Sequence, residues 1–123
     1  MGVLAFVVYG SWAIFANWEY GIKKSLIAGL TQGLMSFLIT TFMTFLMIWL
    51  LNRGSSRWMS FLYAVICTNT VTITSLVVAH LIAGTPEILL TIMPSMIIGF
   101  VYIVSYSLAY LHQEAKYSKS DCA

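Results

Sequence analysis

Charge is scarce in this chain: six Lys and Arg and four Asp and Glu make up only 8% of its 123 residues. With 60% apolar residues and a mean hydropathy of +0.90, ordinary soluble and disordered classes are excluded. A formal net charge of +2 is too small and too scattered to neutralise a run of phosphates, so no nucleic-acid-binding face is expected. The two cysteines exclude a disulfide framework, because Cys67 falls inside an apolar segment and Cys122 is one residue from the end. Lipidation signals are missing too: Asp121-Cys122-Ala123 is not a prenylation box, and position 6 is Phe6 rather than the Ser or Thr of a myristoylation signal. No basic residue precedes the apolar run from Val3 to Phe15, so that run is expected to remain as part of the protein rather than to be a cleaved signal.

Long apolar runs are what the sequence has instead. They cover residues 2–18, 25–51, 58–83 and 86–111, and three of them exceed the roughly 20 residues that cross a bilayer as helix. No alternating strand-length segments separated by turns occur, and in lipid only helices or a closed barrel satisfy the backbone. The expectation is an all-α integral membrane bundle of four transmembrane helices with short connections. The first run is the shortest, a length that also suits a tilted or partly interfacial helix. Residues 112–123 form a polar tail expected to leave the membrane and fray.

The connections contain helix punctuation. Gly21 is placed to end the first helix. Asn52-Arg53-Gly54 offers a glycine for a positive φ, and Ser55 or Ser56 can cap the following helix. Gly84-Thr85-Pro86-Glu87 reads as a stop glycine, an N-cap threonine, a first-turn proline and a carboxylate facing a helix N-terminus. With four spans, Arg53, Arg57, Lys116 and Lys119 share one side while Lys23 and Lys24 occupy the other. That bias predicts cytoplasmic N- and C-termini, in a bacterial inner membrane. Trp49 and Trp58, and on the opposite surface Trp18 and Tyr20, read as interfacial anchors.

The second segment has the clearest face: Gly29, Gln32, Gly33, Ser36, Thr40 and Thr44 fall within about a 120° arc at 100° per residue. Gly29 and Gly33 form a GxxxG motif, which lets a second backbone approach, and hydroxyls beyond it can bond across helices. The third segment offers Ala64, Thr68, Thr72, Ser75 and Ala79 as a matching small face. Its many hydroxyls can also bond back to their own helix carbonyls, a structural use. In the fourth, Pro94 predicts a kink, and Ser95 with Gly99 supplies a further small-residue contact. Helix packing is therefore assigned to Gly29, Gly33, Ser36, Thr72, Ser95 and Gly99. Tyr102, Tyr106 and Tyr110 recur every four residues and read as a packing ridge.

A polar seam is the alternative use of these faces, with Gln32, Thr40, Asn69 and His80 as its candidates. Gln32 needs a partner, because its amide offers two donors and an acceptor in hydrocarbon. Asn69 and His80 lie eleven residues apart, nearly aligned but separated by about 16 Å of helix, too far to touch. Glu19, His80 and Glu87 gather near one surface, but no spacing among them matches a metal motif, so no metal or cofactor is expected.

Catalytic signatures are lacking: there is no HExxH, no GxSxG, no phosphate-cradling loop and no second intramembrane histidine. No Asp, Glu, Lys or Arg falls between Ser25 and Leu51 or between Trp58 and His80, where coupled exporters keep an ionisable group. The first-helix carboxylate of small multidrug exporters has no counterpart here. The expected function is that of a non-enzymatic accessory or assembly subunit, with the lipid bilayer and either its own copies, as a homo-oligomer, or another membrane protein as partners. The alternative is a small oligomeric transporter, channel or lipid-handling protein, and an inhibitor that occludes a membrane target also fits an inert bundle.

Overall fold

A computed structural model describes residues 1–122, which comprise four α-helices and one 3-10 turn and contain no strand. The helices are α1 (Gly2–Ala16), α2 (Ile22–Leu51), α3 (Arg57–Ala83) and α4 (Ile88–Asp121), with the turn at Trp18–Tyr20. The chain is an all-α bundle in which α2, α3 and α4 are long and apolar enough to cross a membrane.

α1 differs from the expected full span. Its 15 residues extend about 22 Å, short of a hydrocarbon core of about 30 Å. Running antiparallel to α2, it reaches only as far as Phe37, whose ring lies against Gly2. Helix ends also move relative to the sequence reading. α2 starts at Ile22 rather than Ser25, so Lys23 and Lys24 occupy its exposed first turn. α4 starts at Ile88, after Pro86, with Glu87 as its N-cap residue, and Thr85 spends its hydroxyl on His80 instead of capping.

The polar tail is helical rather than frayed over most of its length. α4 continues as helix to Asp121, because residues 112–121 contain no glycine or proline and include the good helix formers Gln113, Glu114, Ala115 and Lys116. Gly54 is a correction: positive φ occurs only at Gly21 and Gly84 among the described residues, and Gly54 is needed because a Cβ there would collide with Ser60. Gly84 ends α3 at φ 69°, with Thr85 N–H donating to His80 O and Gly84 N–H to Leu81 O, the two bonds of a Schellman stop. Ser56 opens the same helix, its Oγ accepting from Met59 N–H at 3.2 Å.

The packing faces recur every four residues. On α3 the buried residues are Ser60, Ala64, Thr68, Thr72, Leu76 and His80; on α4 the matching row includes Thr91, Ile103, Ser107 and Leu111. This is the spacing of crossed ridges and close small-residue contacts rather than of a heptad seam. Met47, Leu51, Ala64, Ile103 and Leu111 form the apolar core near the α2–α3 turn. Thr70 and Ser75 bond back to their own helix, but Thr68, Thr72 and Ser107 keep buried hydroxyls with no partner.

α4 remains a single helix through Pro94. Proline has no N–H, so the Leu90 carbonyl four residues earlier loses its helical donor. Trp12 of α1 supplies one: its indole Nε1–H donates to Leu90 O at 2.9 Å.

Candidate functional site

Two polar clusters tie the helices together at the end of the bundle that holds Gly21 and Gly84. The inner one begins at Thr85, just beyond α3, whose hydroxyl meets His80 Nδ1 at 2.8 Å. His80 Nε2 lies 2.7 Å from Gln32 Oε1, and Gln32 Nε2 reaches Ser95 Oγ and, at 3.4 Å, Ser36 Oγ. Since Gln32 Oε1 can only accept, Nε2 of His80 carries a proton, which in the neutral ring leaves Nδ1 to accept from Thr85. Gln32 and His80 are fully buried, and the partners required by an amide in hydrocarbon come from α3 and α4 of the same chain.

The outer cluster is built on Asn17, which ends α1 and is also fully buried. Asn17 Nδ2 donates to Ala13 O at 2.9 Å and to Thr91 Oγ1 at 2.7 Å, while its Oδ1 accepts from the Glu87 N–H at 3.1 Å. Ser25 Oγ donates to the Asn17 carbonyl at 2.8 Å. Tyr20 closes the arrangement, its hydroxyl donating to Glu87 Oε1 at 2.6 Å. That hydrogen bond, reinforced by the carboxylate's charge, holds the Tyr20 phenol above its ordinary pKa.

Below the inner cluster lies a groove of about 390 Å³ between α1 and α4, floored by α2 and α3. Leu4 and Val8 on one side and Ile98 and Tyr102 on the other are exposed and form its rims, so it opens sideways. Its floor includes Ser36, Thr40, Thr44, Met47, Thr72 and Leu76, with Ser95 at the end nearest Gln32. No Asp, Glu, Lys, Arg or His side chain lines it. Thr40 and Thr44 donate to Ser36 O at 2.7 Å and Thr40 O at 3.0 Å, and the Thr72 hydroxyl is unpartnered. The result is an apolar-walled slot with acceptor oxygens along its base and the phenols of Tyr9 and Tyr102 in its lining, without a carboxylate, ammonium, guanidinium or imidazole side chain.

The sequence-selected residues divide accordingly. Gln32, Ser36, Ser95 and His80 are joined in one network, and Thr40 and Thr72 line the groove beside it. Asn69 is not part of the seam: its amide donates to Val65 O of its own helix at 2.8 Å, and it does not line the groove. Gly29 and Gly33 face α1, where a Cβ would meet the Gly10 carbonyl at 3.0 Å or the Phe6 carbonyl at 3.1 Å. Gly99 meets no other helix of the chain: a Cβ there would find no atom within 4 Å, and it borders the groove. Tyr102 and Tyr106 stack at a tilt with centroids 5.8 Å apart, and Tyr110 donates to Asn52 Oδ1 at 3.2 Å.

Asn17, Thr91 and Trp12 have no place in the sequence reading, and Thr85 enters it only as an N-cap. Asn17 carries one local signal, an amide closing an apolar run, but the partners that tie it to α4 and the residue before it lie 70 or more residues away. Glu19, His80 and Glu87 do not converge, and no group of three His, Cys, Asp or Glu able to hold a metal occurs among the described residues. Comparison of the chain with protein-family models, with curated proteins and with solved structures finds no match.

Proposed function

We propose that this is a non-catalytic integral membrane protein that handles lipid, seating a lipid hydrocarbon chain in the groove between α1 and α4. The observation that carries this reading is the groove itself: lined by no charged side chain, open sideways between exposed apolar rims, and set among helices long enough to span a membrane. A single flexible hydrocarbon chain fits such a slot and meets the apolar surface it requires.

The assembly-subunit reading relies on the small-residue faces, and most of these are engaged within the chain, Gly29 and Gly33 beneath α1 and Ser95 with Gln32, while Gly99 stays open. Homo-oligomer formation through Gly29 and Gly33 requires α1 to be displaced. Orientation belongs to the same proposal: the surface with Arg53, Arg57, Lys116 and Lys119 faces the cytoplasm of a bacterial inner membrane, and both chain ends point toward it.

The test is photo-crosslinking in nanodiscs with a phosphatidylcholine bearing a photoreactive acyl chain, together with native mass spectrometry of retained lipid and copy number. Labelling concentrated on residues 4–8 and 98–103 is expected. Gly99→Leu, which enters open space in the groove and leaves helix packing untouched, removes it. Equal labelling in the folded Gly99→Leu protein, or labelling spread evenly over all lipid-facing helices, overturns the reading.

A further inference from the structure

A second, smaller recess lies at the opposite end of the bundle and on a different face. It measures about 210 Å³ and is formed where the start of α3 meets α4, from Arg57, Trp58, Phe61, Leu108, Leu111 and His112. Its chemistry is divided. Phe61, Leu108 and Leu111 make an apolar base, and Trp58 stands edge-on to Phe61 at 6.1 Å and 87°, walling one side. Arg57 and His112, both exposed, provide a guanidinium and an imidazole, and no carboxylate lines the recess.

The surroundings have the same sign. Arg53, Arg57, Lys116 and Lys119 lie at this end against Glu114 and Asp121, four cations to two carboxylates. Arg53 is engaged elsewhere, stacked over Trp49 at 4.3 Å, so Arg57 is the arginine facing the recess. Trp49 and Trp58, each more than half exposed, mark the level where headgroups meet hydrocarbon.

We infer that this recess binds an anionic phospholipid, its phosphate held by Arg57 with His112 as second donor and the start of its chain lying on Leu108 and Leu111. A basic pocket between membrane helices is a fitting receptor for an anionic headgroup, and the apolar base discriminates a lipid from a free anion, which has no use for it. The site is independent of the α1–α4 groove and stands whether or not that groove takes a chain.

The experiment is native mass spectrometry of the full chain released from nanodiscs containing equal phosphatidylglycerol and phosphatidylcholine. The wild type is expected to retain phosphatidylglycerol preferentially. Arg57→Gln lowers that preference roughly fivefold, the effect of one cation near a membrane surface. Leu108→Trp, which fills the base and keeps every charge, lowers it as well. Lys119→Gln, on the same surface but outside the recess, leaves it unchanged, and millimolar inorganic phosphate displaces no more lipid than chloride of equal ionic strength. Undiminished preference in Arg57→Gln or Leu108→Trp, an equal loss in Lys119→Gln, or selective displacement by phosphate overturns the assignment.

Discussion

Removing the indole N–H by Trp12→Phe tests the most specific contact between α1 and α4. In the native fold the Leu90 carbonyl, deprived of its helical donor by Pro94, accepts from Trp12 at 2.9 Å. Leu90 is exposed and lies within one turn of Glu87, toward the surface marked by Trp18 and Tyr20, so the bond is partly open to water. Its loss costs about 0.6 kcal/mol and at most about 1.7, the range for such bonds in membranes, and loss of indole surface adds to it, including the contact with Phe15 at 5.7 Å. A double-mutant cycle separates the two effects. Pro94→Ala restores an N–H four residues after Leu90, so the carbonyl no longer depends on Trp12, whereas the packing loss is the same in both backgrounds. Trp12→Phe is therefore expected to be less destabilising in the Pro94→Ala protein by about 0.6 kcal/mol and at most about 1.7, the range such cycles give in membranes. Reversible unfolding in mixed micelles or steric trapping in bilayers measures the four stabilities. Equal costs of Trp12→Phe in the two backgrounds, to within about 0.3 kcal/mol, would refute the claim that the indole completes the proline-broken helix.

Two glycines on neighbouring helices should respond with opposite signs. Gly33→Ala pushes a methyl to 3.1 Å from the Phe6 ring and carbonyl and is expected to destabilise by about 1–2 kcal/mol, whereas Gly99→Ala, with no atom within 4 Å, stabilises by about 0.5–1 kcal/mol; denaturation midpoints of both variants check this, and matching signs count against the packing described. The Tyr20–Glu87 bond has a pH signature. Because the folded phenol is raised above its ordinary value of 10.0, its neutral form is preferred in the fold, and the stabilisation is present below pH 10 and lost as pH rises through the folded value. Tyrosinate absorbance of wild type minus Tyr20→Phe should titrate above pH 10, and Glu87→Gln should bring that titration down; no response to Glu87→Gln contradicts the pairing.

The parts of this fold legible in the sequence are those set by short-range chemistry. Runs longer than a bilayer's thickness give α2, α3 and α4, Gly84 stops α3 because its neighbours demand a left-handed residue, and Gln32 announces a need for partners. What the sequence hides is which element meets which. Gly33 and Gly99 look alike as small residues on apolar helices, yet α1 covers the first and nothing covers the second. Asn69 and His80 are equally polar on one helix, but Asn69 satisfies itself four residues away while His80 reaches Gln32, 48 residues distant. Pro94 foretells a missing bond without naming Trp12, 78 residues before Leu90, as the donor that replaces it.

Those distant contacts also explain why a groove exists. Every polar bond from α1 and the turn after it to α4 or the residue before it lies toward one end: Trp12 to Leu90, Asn17 to Thr91 and to the Glu87 N–H, Tyr20 to Glu87. On the α2 side, Gly10, Gly29 and Gly33 bring the backbones of α1 and α2 together. Toward Leu4 and Val8 no polar contact with α4 remains, and there Gly99 leaves its side of the space empty. α1 is thus held to α4 at its polar end and to α2 along its length, while its other half stands apart from α4. Bonds of this kind in membranes contribute about 0.6 kcal/mol each and at most about 1.7, so the Trp12–Leu90 bond and the two bonds of Asn17 together hold the polar end. A short α1 follows from the same logic, since a helix that wedges a lateral opening needs only to reach the middle of its neighbour. Substituting residues at the clamp should accordingly change the width of the groove more than its lining does, because the lining touches one wall and the clamp sets the separation of both.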